Sequence, residues 1–256
     1  MVRRLFCLLL LLAGSARAAP VSGVVTLPTR PGVTQRFLLL TPSQPAVASV
    51  VLFAGGDGHI GIGDDGRLER GGNFLVRTRE AWAQQGFLVA VPDTPSDQDG
   101  IATFRESAEH ATDIAAVVDF LRQRADVPVW LVGTSRGTTS AAAAGIRLQS
   151  RIAGVVLTST VARGRGNVAG LELGRLARPV LLMYHRDDSC KATPPAGAEE
   201  IVRALSAAPV KARIAEEGGI SRGEPCEAFA YHGYNGIEER VVRDAADWIK
   251  APHALP

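Results

Sequence analysis

A serine between two glycines gives this sequence its most informative chemical signal. Gly133-Thr134-Ser135-Arg136-Gly137 follows the apolar run VPVWLV and precedes the small residues Thr138–Ala142. In the order strand, sharp turn, helix, the pattern Gly-x-Ser-x-Gly exposes a nucleophilic serine, and the glycines avoid collisions with the neighbouring strand and helix. The amide of Arg136 then lies at a helix N-terminus, where it can donate to an oxyanion. The alternative interpretation of these five residues is an ordinary glycine-rich turn between a strand and a helix.

A second glycine-rich segment follows the apolar run Ser49–Phe53. It reads Ala54-Gly55-Gly56-Asp57-Gly58-His59, and together with the serine motif it makes the sequence resemble the α/β-hydrolase superfamily over about residues 21–250. In that family the loop after the third strand supplies the other oxyanion-hole amide and often begins with His-Gly, where this chain has Ala54-Gly55. The resemblance implies the Gly56 N–H as donor, with that of Asp57 as the alternative. The glycines alone would also suit a turn with positive φ.

The resemblance also implies a position for an acid. In the family the chain order is serine, acid, histidine, and the acid follows the next-to-last strand after a short turn. Here the strand Pro179–Tyr184 ends in His185-Arg186-Asp187-Asp188. Three residues past the strand-end position held by His185 stands Asp188. Asp187 is the alternative, because a slip of one residue in the turn exchanges the two.

The base follows from the same order. His232 lies in Ala230-Tyr231-His232-Gly233-Tyr234, just before the last helix, and this segment resembles the His-Gly segment of the family. The other four histidines have the wrong order or position: His59, His110, His185 and His253. A neutral imidazole can take the proton of a serine, and a carboxylate can fix its tautomer and stabilise the imidazolium. The resemblance therefore implies Ser135, Asp188 and His232 as the catalytic set.

The elements that must position these residues alternate along the chain. The predicted strands are short apolar runs: Gly23–Leu27, Arg36–Leu40, Ser49–Phe53, Phe87–Val91, Val127–Val132, Gly154–Thr158, Val180–Tyr184 and Val210–Ala215. The predicted helices are Asn73–Gln85, Phe104–Arg124, Arg136–Leu148, Gly197–Ser206 and Gly236–Ile249. This alternation is typical of a doubly wound α/β domain. We expect the α/β-hydrolase fold, a mostly parallel sheet of about eight strands with an antiparallel start, and no large lid, since 52 residues separate Ser135 from Asp188.

The first residues have the pattern of a secretory signal. Arg3 and Arg4 precede the apolar run Leu5–Ala13, and Ala16-Arg17-Ala18 is a small-x-small cleavage pattern. We expect cleavage after Ala18, a domain over residues 19–256 and a secreted or periplasmic location. The mature chain has 25 basic and 26 acidic residues, so its formal net charge changes from +2 to −1. This near-neutral balance gives no global field that would attract nucleic acid or an anionic membrane.

Two cysteines remain after the predicted cleavage. Cys190 and Cys226 would meet oxidising conditions, where an even count usually means a disulfide; two free buried thiols are the alternative. A bridge would join the loop of Asp188 to that of His232 and keep both in register. The spacing of histidines and carboxylates predicts no metal site, and no cofactor motif is present.

Other polar residues give weaker indications. Asn73 and Arg77 could line a pocket, although a solvated helix face is the simpler interpretation, and Asp93 could point toward the site from the end of its strand. The site residues and the small space for a lid predict hydrolysis of small or flexible carboxylic esters through an acyl-enzyme. A peptidase or amidase with the same residues, or a catalytically silent binding protein, would fit the same pattern.

Overall fold

The computed structural model describes residues 19–254, and the predicted signal peptide lies outside them. The strands are β1 (Val21–Arg30), β2 (Val33–Thr41), β3 (Ala48–Phe53), β4 (Phe87–Pro95), β5 (Val129–Thr134), β6 (Gly154–Thr158), β7 (Val180–His185) and β8 (Lys211–Glu216). The helices are α1 (Phe74–Arg77), α2 (Arg79–Gln84), α3 (Ala108–Arg124), α4 (Gly137–Arg147), α5 (Gly197–Ala204) and α6 (Glu238–Lys250). Each predicted strand overlaps an observed one.

All eight strands form one sheet, in the order β1-β2-β4-β3-β5-β6-β7-β8. β2 pairs antiparallel with β1 and with β4, and every later pairing is parallel. The predicted antiparallel start and mostly parallel sheet are therefore confirmed. After β4 the chain returns to the other side of β3 to form β5. In open α/β sheets such a reversal of strand order leaves a crevice at the carboxyl ends of the strands, where ligands bind.

The strands are continuously apolar because both faces of the sheet are covered. On one face Trp130 of β5 packs edge-on against Trp248 of α6, with ring centroids 5.6 Å apart. On the other face Leu131 of the same strand belongs to a second buried cluster with Ile114 of α3. Successive residues of β5 thus pack against helices on opposite faces of the sheet, which holds the strand in place.

Two predicted helices differ from the observed ones by more than one or two residues at their ends. The predicted helix Asn73–Gln85 is interrupted at Thr78, whose hydroxyl donates to the Phe74 carbonyl, so that α1 and α2 are separate. The predicted helix Phe104–Arg124 begins only at Ala108, since the Ser107 side chain caps it by accepting from the His110 amide. Ser107 is a normal N-cap residue, and its position leaves the residues before it in turns.

Residues 160–178 contain two short 3₁₀ turns, Val168–Gly170 and Leu173–Arg175. This short segment agrees with the prediction that there is no large lid. Within residues 19–254 there is no helix with the length and apolar character needed to cross a membrane.

Candidate active site

Ser135 occupies a sharp turn between β5 and α4. Its φ of 51° lies in the left-handed region, which is uncommon for residues other than glycine. A Cβ at Gly133 would collide with the Gly137 backbone, and one at Gly137 would collide with the Phe53 carbonyl of β3. The two glycines are thus needed because the turn is pressed against its own helix and the neighbouring strand. The turn holds Ser135 partly exposed at the carboxyl edge of the sheet.

The loop after β3 lies directly beside this serine. β3 pairs with β5, and a Cβ at Gly55 would come 3.1 Å from the Ser135 Cβ. Gly56 follows with a φ of 60°. The amides of Gly56 and Asp57, which the resemblance implies as alternative donors to the oxyanion, therefore belong to the segment that packs against Ser135. The third candidate, the Arg136 amide, is at the N-cap of α4.

Asp93, at the end of β4, holds the same loop from behind. Its carboxylate accepts hydrogen bonds from the amides of Ile60 (2.9 Å) and Ile62 (2.8 Å). The expectation that Asp93 could point toward the site was wrong: its two oxygens are bonded to these loop amides. It fixes the course of the loop instead.

Asp188 and His232 are in contact although they are 44 positions apart along the chain. The His232 Nδ1 donates to Asp188 Oδ2 over 3.1 Å, and both side chains are almost fully buried. Thr193 joins the pair, because its hydroxyl donates to Asp188 Oδ2 over 2.8 Å and lies 3.0 Å from the His232 Nδ1. Asp187 is exposed, and its amide donates to the His185 ring. Of the two aspartates, Asp188 is therefore the one that the fold places against the histidine.

The backbone of His232 is held by the ends of neighbouring strands. Ser159, just after β6, donates from its hydroxyl to the His232 carbonyl over 2.7 Å. The amide of Ser159 donates to the hydroxyl of Tyr234, which in turn donates to the carbonyl of Met183 on β7. Burial raises the pKa of Tyr234, so this hydroxyl remains a donor. The histidine is thus fixed to two adjacent strands.

Arg77 has a related role from the other side. Its guanidinium donates to the Gly233 carbonyl over 2.6 Å and forms an ion pair with Glu238 at the start of α6. Arg77 is therefore neither a pocket residue nor part of a solvated helix face, the two interpretations offered by the sequence. It links α1 to the turn that contains His232. Asn73, in contrast, lines a cavity together with Ser135 and His232, and its side chain caps α1 by accepting from the Leu75 amide.

The predicted disulfide between Cys190 and Cys226 is present. It joins residues 36 apart along the chain. The amide of Cys190 also donates to Asp188 Oδ1 over 2.9 Å. The bridge therefore connects the turn that carries the acid to the loop that leads into His232.

The arrangement of strands is shared with several enzymes of known structure. A cold-adapted esterase from an Arctic intertidal metagenomic library is 18% identical, with 92% of this chain and 95% of that chain covered and a TM-score of 0.61. A dienelactone hydrolase from Anabaena variabilis is 17% identical, with 91% and 98% covered and a TM-score of 0.63. An α/β serine hydrolase without lid from Xanthomonas campestris is 14% identical, with 88% and 94% covered and a TM-score of 0.60.

This chain has the α/β-hydrolase fold. No protein-family model matches the sequence, and a search of curated proteins found no match. At these identities the likeness to solved structures concerns the fold alone.

In this α/β-hydrolase fold one cavity of about 440 Å³ contains both Ser135 and His232 in its wall. Its lining includes Gly55, Gly56 and the half-exposed ring of Phe229. Among residues 19–254 no hydrogen bond joins the Ser135 hydroxyl to the His232 ring. In enzymes without substrate such bonds are often long and tighten only when substrate binds.

The mouth of the cavity carries a charged pair. Arg70 donates to the Asp57 carboxylate over 2.7 Å. Burial by itself would raise the pKa of Asp57, but the bonds from Arg70 and from the His59 amide outweigh it and lower that pKa. The pair is neutral as a unit and leaves no net charge of its own at the entrance.

Sequence reasoning missed the residues that support this hydrolase-fold site. Thr193, Ser159 and Tyr234 touch the acid, the base or its backbone, yet nothing in their local sequence marks them. Their contacts span 5 to 75 residues along the chain. One signal was available: the positions just after β6 and β7 had to lie at the same sheet edge as Ser135, because β5, β6 and β7 are consecutive parallel strands of the sheet.

Proposed function

We propose that this protein is a serine hydrolase that cleaves carboxylic esters through an acyl-enzyme. The observation that carries the proposal is that Ser135, with its left-handed backbone, shares a cavity with His232, whose ring is hydrogen-bonded to Asp188. A nucleophile, a base and an acid that orients the base are the parts that covalent acyl transfer requires. The names of the similar structures, an esterase and two hydrolases, agree with this chemistry.

In the proposed reaction His232 takes the proton of the Ser135 hydroxyl while the oxygen attacks the ester carbonyl. The carbonyl oxygen becomes an oxyanion, which the amides of Arg136 and of Gly56, or of Asp57 in its place, stabilise. The bond to the leaving alcohol then breaks, and His232 returns the proton to that alcohol. A water molecule, deprotonated by the same imidazole, attacks the acyl-enzyme and releases the acid, and Ser135 regains its proton.

The substrates we propose are small or flexible esters. The cavity of about 440 Å³ has no lid domain over it within the described residues, and Phe229 offers an apolar surface at its rim. The formal charge of the proposed mature chain is close to zero, so we propose a small-molecule substrate rather than a nucleic acid or membrane partner.

Labelling with a fluorophosphonate tests the nucleophile. We expect one phosphonate per chain, mapped to the peptide of Ser135, and loss of labelling in Ser135→Ala together with a fall in kcat of about 10⁴-fold or more. Ser206→Ala is the matched control, since Ser206 is exposed and lies outside the cavity lining. Labelling that persists in Ser135→Ala would refute the proposal.

A substrate panel tests the bond that is cleaved. We expect p-nitrophenyl esters of short acids to be turned over and aminoacyl p-nitroanilides to be turned over poorly. Preferential cleavage of the anilides would instead indicate a peptidase or amidase with the same three residues. Labelling of Ser135 without turnover of either kind of substrate would show a reactive serine and contradict the proposed ester hydrolysis.

We also propose that the protein acts outside the cytoplasm. The disulfide and the signal-like residues 1–18 support this location. Expression of the full chain in a bacterium, followed by N-terminal sequencing of the protein in the periplasmic fraction, should give a mature chain that begins at Ala19. A full-length, reduced protein in the cytoplasmic fraction would contradict the proposal.

A further inference from the structure

Arg105 is a buried cation that has no acidic partner within residues 19–254. The residue lies in the turns before α3 and is 2% exposed. Its Nη1 donates to the Ser140 hydroxyl of α4 over 2.7 Å, and among the described residues it forms no ion pair with a carboxylate. The negative charge of Asp57, whose carboxylate accepts from Arg70, acts to raise the pKa of Arg105. Burial, and secondarily the charge of Arg136, lower the pKa of Arg105 to about 9, which leaves the guanidinium protonated at neutral pH.

The charge is directed at the loop that packs on the nucleophile. The Arg105 Nη2 lies 3.0 Å from the carbonyl oxygen of Ala54, 3.3 Å from that of Gly56 and 3.5 Å from that of Gly55. Three consecutive carbonyl oxygens therefore converge on one guanidinium nitrogen. A buried cation without a carboxylate is costly unless such dipoles compensate it.

The peptide geometry makes this convergence relevant to the reaction. In a trans peptide the carbonyl oxygen and the amide hydrogen point in opposite directions. The amide of Gly56 belongs to the peptide whose oxygen is that of Gly55, and the amide of Asp57 belongs to the peptide whose oxygen is that of Gly56. Both candidate donors for the oxyanion are therefore on peptides whose oxygens face Arg105, and both amides point away from it.

We propose that Arg105 is a positioning residue for oxyanion binding: it holds the carbonyl oxygens of residues 54–56 so that the amides on the same peptides face the reacting oxygen. This inference rests on the proposed serine hydrolase. The cation also polarises these peptides, which makes their amide hydrogens stronger donors. Ser140 anchors the guanidinium to α4, the helix that begins next to Ser135, and thereby couples the two sides of the oxyanion site.

Arg30 shows what a purely structural arginine looks like in the same protein. It is also largely buried, but it forms ion pairs with Asp113 and Asp97 and does not line the cavity. Arg30→Met is therefore the matched control: it should lower the thermal midpoint and leave kcat within a factor of about 2.

The test compares Arg105→Met, Arg105→Lys and Ser140→Ala with the wild type on a short-chain p-nitrophenyl ester. Loss of one oxyanion-hole donor costs on the order of 10²-fold in kcat, so we expect Arg105→Met to lose about that much with KM changed by less than about 3-fold. Arg105→Lys should recover part of the loss, since it keeps the charge but has fewer fixed donors. Inhibition by an aryl trifluoromethyl ketone, which forms an oxyanion on the serine, should weaken in parallel with kcat.

The readouts separate this inference from the proposed function. If wild-type Ser135 does not react with a fluorophosphonate, the proposed hydrolase fails. If the wild type reacts and Arg105→Met is folded but keeps kcat and the ketone affinity within about 3-fold, the positioning role is overturned. Should Arg105→Met not fold, Ser140→Ala and Arg105→Lys decide: a several-fold loss of kcat at constant KM in both supports the role, and unchanged kcat in both overturns it.

Discussion

Replacing His110 by leucine should make the folded protein less sensitive to acid. His110 lies on α3, is 2% exposed, and packs its ring against Phe53 and Phe104. Among the described residues neither ring nitrogen has a hydrogen-bond partner. Burial, and then the positive charges of Arg105 and Arg30, lower the pKa of His110 to about 3. The folded protein therefore keeps this imidazole neutral.

The sign and size of the effect follow from proton binding. Above pH 6.5 the imidazole is neutral in the folded and unfolded chain, so His110 adds no pH dependence. Below pH 6.5 only the unfolded chain binds the proton until about pH 3, and the free energy of unfolding falls as pH decreases. Each pH unit in this window costs about 1.4 kcal/mol. By pH 5 the wild type should have lost about 2 kcal/mol through this residue.

Urea unfolding at pH 7.5, 6 and 5 measures this loss. All three tryptophans, Trp82, Trp130 and Trp248, are buried, so their fluorescence should report unfolding of the core. His110→Leu keeps a similar volume and removes two unpartnered nitrogens, and at pH 7.5 it should be at least as stable as the wild type. The difference between the two should widen by about 2 kcal/mol from pH 7.5 to pH 5, since all other titrating groups are common to both. A difference independent of pH would refute the reasoning.

Three further changes test the site. Gly137→Ala should lower the free energy of unfolding by about 2 kcal/mol or more and abolish fluorophosphonate labelling, because its Cβ collides with the Phe53 carbonyl; urea unfolding and labelling measure both. The double change Cys190→Ala and Cys226→Ala should cost about 4 kcal/mol in urea unfolding, from the chain entropy of a 36-residue separation, and should lower kcat. Thr193→Val should lower kcat about 10-fold at constant KM in steady-state kinetics, since it removes a hydroxyl bonded to the acid.

Each of these has an outcome that contradicts it. Alanine in a helix normally stabilises relative to glycine, so a more stable Gly137→Ala would mean that the strand is not pressed against the turn. A cysteine-free protein with unchanged kcat would limit the bridge to stability. Unchanged kinetics in Thr193→Val, with Thr112→Val as an exposed control, would show that the acid needs no third group.

The strands were predictable because their signal is local. Continuous apolar runs between turn residues indicate strands covered on both faces, and Gly154–Thr158 was predicted with its observed bounds. Helix ends were less predictable because they depend on single side-chain bonds. Ser107 ends the turns before α3 and Thr78 interrupts the helix predicted after Asn73, and periodicity does not record either bond.

The geometry of the candidate site was predictable only where chemistry imposes a fixed spacing. Ser135 stands in a five-residue pattern whose glycines are required sterically, and the resemblance placed Asp188 and His232 in the order that the structure brings together. Arg105 could not be found in this way. Its role depends on a bend that brings the turn before α3 under the loop after β3, about 50 residues away along the chain.

The described residues other than glycine that have a left-handed backbone conformation are concentrated at the candidate site. Within residues 19–254 the non-glycine residues with positive φ are Ser135, Ser159 and Tyr234. Such conformations persist only where surrounding structure enforces them, and they cluster at functional sites. Ser159 and Tyr234 are bonded to each other, and Ser159 also holds the carbonyl of His232. The strain therefore lies at the proposed nucleophile and at the clamp that fixes the proposed base. Ser135 and Ser159 directly follow β5 and β6, which are adjacent parallel strands. A site built on strand ends is pre-organised by the sheet itself, so we expect its geometry to vary less than the exposed loop that carries Phe229.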